Sequence, residues 1–243
     1  MSRRTQHRGR EWLKRRIQRD VPFFETLWTA ILLVLTSGFL DAYTYQLRGH
    51  VFANAQTGNL VIMSIRAAQG RFLDALHSLI PIVAYIVGIL LTELVKRRKP
   101  LRCLPWQHLA LLLEILLIIV IGFLPASVPN SVVTVTVSFI CAVQANSFAS
   151  LHGAAYVSTT CTGNLRTGTR YLFHFLTQRN RESGLQAIRY FASIAFFCCG
   201  VALGVLFCAL WQEKSIWICC IPLLTLFVYS LIIHRRYGRP LDS

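Results

Sequence analysis

Asn54-Ala-Gln-Thr-Gly-Asn-Leu60 and Ser158-Thr-Thr-Cys-Thr-Gly-Asn-Leu165 are two polar interruptions in an apolar chain, and both end on the same four residues, Thr-Gly-Asn-Leu. Each is followed by only a short apolar piece, and each segment carries arginine: Arg66 in the first, Arg166 and Arg170 in the second. A membrane-spanning helix needs about 20 largely apolar residues. An arginine at mid-bilayer costs about 2.5–3.5 kcal/mol on insertion scales, so two in one ordinary span argue against a simple crossing. How segments 51–69 and 156–176 meet the bilayer therefore decides the fold.

The surroundings of the motifs fix the class. Of 243 residues, 54% are hydrophobic and 14% charged, and the mean hydropathy is +0.51. A soluble domain carries about a quarter charged residues; here too few polar groups remain to cover a water-facing surface. The expectation is an all-α integral membrane protein, one bundle embedded in the lipid bilayer. Six segments are long and apolar enough to span: 24–46, 77–95, 106–125, 131–151, 188–211 and 216–233.

The net charge of +15 is clustered between apolar runs, at Arg3–Arg19, Lys96–Arg102, Arg179–Arg189 and Arg235–Arg239. Basic clusters of this kind mark the cytoplasmic side of a membrane protein. No folded reader domain accompanies them, which argues against nucleic-acid binding. Eight full crossings would place Lys96-Arg97-Arg98-Lys99 outside and the uncharged loop Pro125–Asn130 inside, both against the rule. Six crossings, with both polar segments dipping in and returning, put the basic loops and both termini in the cytoplasm. Only Arg66 and Arg71 then sit on the less favoured side. The sequence thus predicts six transmembrane helices plus two broken, re-entrant segments.

The two motifs are 105 residues apart, and that offset lays Asp41 over Asn146 in the preceding spans. The halves, 24–125 and 131–233, then read alike: span, dipping segment, span, span. Three spans per half is odd, so the second repeat enters the membrane inverted, an architecture known from transporters with a site at the midplane. Residues 1–23 form a basic cytoplasmic segment, read either as a surface helix on anionic lipids or as a disordered tail; 234–243 form a basic tail.

Thr57 and Thr162 stand at plausible N-cap positions, Gly58 and Gly163 permit close approach, and Asn59 and Asn164 offer a donor and an acceptor. A helix starting inside the bilayer presents unpaired N–H groups and a partial positive charge. Irregular backbone at that depth needs cover from protein or a wet cavity. Two such starts meeting from opposite faces make a site for a small polar or anionic solute, lined by Asn54, Gln56, Thr57, Gly58, Asn59, Thr160, Thr162, Gly163 and Asn164. The plainer alternative is that these groups only tie the breaks to neighbouring helices.

Acids in spans are expensive and usually functional. Asp41 is the acid nearest the motif, and either carries a coupling proton or cation or pairs with Arg48, Arg66 or His50. Glu114, deeper and without an obvious partner, is open to protonation-linked transport or a neutral hydrogen bond. Glu93 reads as a structural partner of Lys96. Gly200-Val-Ala-Leu-Gly204 reads as a helix-packing face. The eight cysteines lack metal-site spacing, and no HExxH or Ser/His pair points to an enzyme. No cofactor is implied, and a homo-oligomer is left open.

Ser37-Gly-Phe-Leu-Asp-Ala42 and Gly49-His-Val-Phe-Ala-Asn-Ala-Gln-Thr-Gly-Asn59 resemble the YoaK-like family of bacterial inner-membrane proteins, a domain of unknown function. The resemblance runs over nearly the whole chain after residue 24, with a looser second copy at Cys141-Ala-Val-Gln144. It implies a multi-pass bacterial membrane protein without an established substrate. The functional expectation is a transporter or channel; a non-transporting scaffold or lipid-interacting protein is the alternative.

Overall fold

A computed structural model describes residues 26–97, 106–148, 150–151, 154–155 and 161–237. The basic N-terminal segment, Thr160, His152 and Gly153 lie outside the described residues, as does most of the C-terminal tail. Eight α-helices follow one another among the described residues: α1 Leu27–Leu47, α2 Gln56–Ala68, α3 Phe72–Arg97, α4 Trp106–Phe123, α5 Asn130–Ser147, α6 Cys161–Gln178, α7 Arg181–Trp211 and α8 Cys220–Tyr237. A 3-10 segment, Gln212–Cys219, joins α7 to α8. Between α5 and α6, Ser150–Leu151 pairs antiparallel with Ala154–Ala155 as two-residue strands β1 and β2.

By length and composition, four stretches can cross a membrane: α1, α3, α4 and the continuous run Arg181–Ile233 that holds α7 and most of α8. The outer faces are apolar, as lipid contact requires. Val83, Ile86, Leu90 and Leu94 of α3 are all exposed, while Ser78 and Thr92 of the same helix are buried. α5 is absent from the four because Thr, Ser, Gln and Asn interrupt it, yet Val133, Val137 and Ile140–Ala145 are buried. A helix sheathed by protein need not be uniformly apolar. α1, buried along most of its length, is the other central helix.

The segments 51–69 and 156–176 become α2 and α6, of 13 and 18 residues. At 1.5 Å per residue, α2 spans about 20 Å, short of the ~30 Å hydrocarbon core. Each forms a hairpin with the next long helix: α2 turns through Gly70, at φ 75°, into α3, and α6 turns through Arg179, at φ 53°, into α7.

Packing between the halves is reciprocal. α1 lies chiefly along α7, and α5 lies chiefly along α3. A Cβ at Gly204 of α7 would stand 2.6 Å from Ala42 Cβ and 3.0 Å from Phe39 O; one at Gly88 of α3 would stand 2.7 Å from Ala142 Cβ and 2.9 Å from Phe139 O. Phe39 and Ala42 are thus used as Phe139 and Ala142 are. The Gly200–Gly204 packing face expected from the sequence is present: a Cβ at Gly200 would fall 2.2 Å from Leu35 O, and one at Gly38 2.3 Å from Phe197 O.

The helices before the two motifs are spaced differently from the motifs themselves. α1 ends at Leu47 and α5 at Ser147, 100 residues on, with near-identical C-cap angles at Arg48 (φ −130°, ψ 42°) and Phe148 (φ −121°, ψ 53°). The motif helices start 105 residues apart, at Gln56 and Cys161. The second connection is therefore five residues longer, and a fixed offset of 105 misplaces the spans before it. At 100, Phe39-Leu-Asp-Ala42 lies over Phe139-Ile-Cys-Ala142, an overlay that sets Cys141 rather than Asn146 opposite Asp41. Asn146 instead donates to Glu93 Oε1 at 2.8 Å, and its carbonyl accepts from Lys96.

Candidate functional site at the first helix break

The chain leaves α1 at Arg48, which caps it through an N–H to Thr44 O, then runs back beside α1. Asn54 Nδ2 reaches Ser37 O at 3.2 Å, and Asn54 N–H reaches Asp41 Oδ1 at 2.7 Å. α2 then returns to the end it came from, since Arg48 and Arg66 line one cavity.

The motif residues hold that path in place. Asn59 is fully buried. Its Oδ1 accepts the Phe52 N–H at 2.8 Å, and its Nδ2 donates to Phe52 O at 2.7 Å and to Gln56 Oε1 at 2.9 Å. A side-chain amide thus pairs with a backbone peptide as a neighbouring strand would. Gln56 Nε2 closes the loop onto Ala53 O at 2.8 Å. Gly58 is where the Phe52 ring lies: a Cβ there would be 2.9 Å from Phe52 Cδ2. Phe52 stacks in turn on Tyr45, with ring centroids 5.1 Å apart.

The threonines behave otherwise than expected. The N-cap of α2 is Ala55, which has no side chain to cap with, and Thr57 is an exposed first-turn residue. Thr162 likewise is the second residue of α6 and exposed. The helix starts earlier than the capping pattern suggests because Asn59, not Thr57, organises it. In the second motif Asn164 is buried, while Gly163 and Leu165 are exposed.

Asp41, on α1, supplies what α2 lacks. The backbone amides of Ala53, Asn54 and Ala55 all face its carboxylate, a concave run of N–H groups of the kind that binds anions. The positive end of α2 is therefore already met by a carboxylate of the chain itself. Among the described residues Asp41 makes no ion pair, and Arg48, Arg66 and His50 are not its partners.

Glu114 does have a partner, one that sequence reading did not assign. Gln144 Nε2 donates to Glu114 Oε1 at 2.9 Å, and Gln144 Oε1 accepts from Ser37 Oγ at 2.8 Å. Glu114, Gln144, Ser37, Asn54 and Asp41 thus form one buried polar line from α4 through α5 and α1 to the loop. The second oxygen of Glu114 is buried without a hydrogen-bond partner. The signal that finds Gln144 and Ser37 is the one that finds Asp41: a polar side chain inside a span.

The second break lies at the start of α6, whose first residue, Cys161, is partly buried. A small cavity of about 190 Å³ between α1, the loop and α7 is lined by Asp41, Phe52, Ala55, Phe197 and Val201. A larger concavity, of about 730 Å³, is by contrast an apolar groove between α3, α4 and α5.

The family described as "Protein of unknown function (DUF1275)" matches residues 29–229, from the first turns of α1 into α8. The chain belongs to this family. It is also 28% identical over 138 residues to the UPF0700 transmembrane protein YoaK of Bacillus subtilis (strain 168), covering 55% of this chain and 61% of that protein. The chain thus spans about three fifths of the length of the curated relative it matches. No solved structure matches it. A relative named as a transmembrane protein agrees with the apolar helices described above: this is a membrane protein of the YoaK-like family.

Proposed function

We propose that the protein is a transporter or channel for a small polar or anionic solute in the bacterial inner membrane, with six crossings, both termini in the cytoplasm, and two re-entrant segments entering from opposite faces. One observation carries the reading: α2 begins part-way down the bundle beside Asp41, whose carboxylate accepts the Asn54 N–H. The reciprocal use of Phe39/Ala42 and Phe139/Ala142 supports an inverted duplication. Thr57 and Thr162, whose side chains hold nothing in the fold, are the motif groups free to meet a solute; Asn54, Gln56 and Asn59 hold the loop that frames it. Asp41 and Glu114, at the two ends of the buried polar line, are the coupling candidates. No enzymatic role is assigned.

The test is uptake of a panel of labelled small polar solutes into proteoliposomes. Wild type is expected to move at least one of them. Asp41→Asn should abolish that flux, and the double variant Thr57→Val/Thr162→Val should lower it several-fold while remaining monodisperse. Equal flux in all three would sink the transport reading. Full engagement of the Asn59 amide within the loop favours the second reading, a non-transporting membrane scaffold in contact with anionic lipids, and that outcome would leave it standing.

Topology has its own test. In a cysteine-less background, Gln69→Cys, at the α2–α3 turn, is expected to react with a membrane-impermeant thiol reagent from outside. Gln178→Cys, at the α6–α7 turn, should react only after the cytoplasmic face is opened. Both reacting from one side would exclude inverted halves.

A further inference from the structure

At the end of the bundle where α1 and α2 finish and α3 and α5 begin, a cavity of about 300 Å³ is lined by Arg48, Arg66, Arg71 and Asp74, with His77 at its wall. The charges there do not cancel. Arg71 pairs with Asp74 through Nε and Nη2, at 2.7 and 2.6 Å from Oδ2. Among the described residues, Arg66 is held only by neutral acceptors, Asp74 O at 3.1 Å and Ser78 Oγ at 2.9 Å. Arg48 is 1% exposed, and its partner is also neutral: the Tyr43 hydroxyl at 3.4 Å, with the guanidinium 5.9 Å from the centre of the same ring. Its Nε is buried with no hydrogen-bond partner.

A buried guanidinium without an anion is costly, and such a side chain matches oxyanions with two donors at once. The wall opposite adds to this. Asn130 and Ser131, in the first turn of the 18-residue α5, line the cavity; that turn has no acidic residue and Pro129 gives it no side-chain cap. Its N–H groups and partial positive charge face the same space as the guanidinium groups.

We propose that this cavity is a binding site for a small oxyanion, a phosphate or carboxylate group, held by Arg48 and Arg66 against the start of α5. The site is separate from the Thr-Gly-Asn-Leu segments and stands whether or not a solute crosses the membrane. The same chemistry is offered by a soluble anion or by the phosphate of an anionic lipid, and two arms distinguish them. In the first, inorganic phosphate and succinate are titrated by calorimetry into the full chain in neutral phosphatidylcholine nanodiscs. In the second, retention of phosphatidylglycerol is measured by native mass spectrometry.

Saturable binding in either arm is expected, weakened at least tenfold by Arg66→Gln and by Arg48→Gln, and unchanged by Arg170→Gln on the exposed face of α6. Arg66 is only partly buried, so its variant carries the test if Arg48→Gln fails to fold. The proposal is overturned if neither arm saturates, if Arg66→Gln binds as wild type does, or if Arg170→Gln weakens binding equally.

Discussion

Gly200→Leu is expected to leave no folded protein: after extraction in mild detergent, size-exclusion chromatography should show aggregate in place of the wild-type peak. The cause is steric and lies in backbone. A single Cβ at Gly200 would sit 2.2 Å from Leu35 O, and the nearest atoms of α1 are main chain throughout. A side-chain neighbour can rotate aside; a carbonyl in a packed helix moves only with its helix. Overpacking a core costs about 1–3 kcal/mol when neighbours can shift, and here the shift would have to part α1 from α7, the most extensive helix pair among the described residues. Gly70→Ala is the contrasting case. Its Cβ meets nothing within 4 Å, so only the strain of φ 75° remains, about 1 kcal/mol, and the peak should survive. A monodisperse Gly200→Leu would show that the two helices are less closely bound than their separation states.

Asn59→Leu should destabilise the protein by about 3–5 kcal/mol, read as a lowered unfolding midpoint in detergent. Leucine keeps the volume but leaves the Phe52 N–H and C=O and the Gln56 side chain without their partner, and each unmet buried group costs about 1–3 kcal/mol. Thr57→Val, two residues earlier, should change the midpoint by less than about 0.5 kcal/mol, the range of an ordinary surface substitution. The contrast matters because the two residues belong to one motif. If Thr57→Val destabilised as much as Asn59→Leu, the motif would act as a single unit and the division between holding and binding groups would fail.

The sequence made the class and the element order legible because both follow from bulk properties. Hydropathy and charge clustering outlined every long helix, and the polar interruptions marked α2 and α6, whose starts at Gln56 and Cys161 keep the motif spacing of 105. What was not legible depended on contacts distant in the chain. The role of Asn59 required knowing that Phe52 folds back over Gly58. The partner of Glu114 is 30 residues away on α5, and nothing local marks Gln144 as the one. The overlay of Asp41 on Asn146 rests on a fixed offset of 105, which does not follow the five-residue difference between the connecting loops. Arg48 read as one candidate partner of Asp41, and only the structure shows it buried against the neutral Tyr43 hydroxyl instead.

The reciprocal packing has a consequence for how the chain is made. The principal partner of α1 is α7, whose first residue comes 134 positions after the last of α1, and the partner of α3 is α5. Neither half closes its own interior. The first half must therefore wait in the bilayer with the α1 face around Gly38 uncovered until the second half has been synthesised, and contacts so far apart in sequence form slowly. Biogenesis thus has a vulnerable interval, set by the ribosome rather than by the finished protein's stability, in which α1 is open to quality-control proteases and to stray helices.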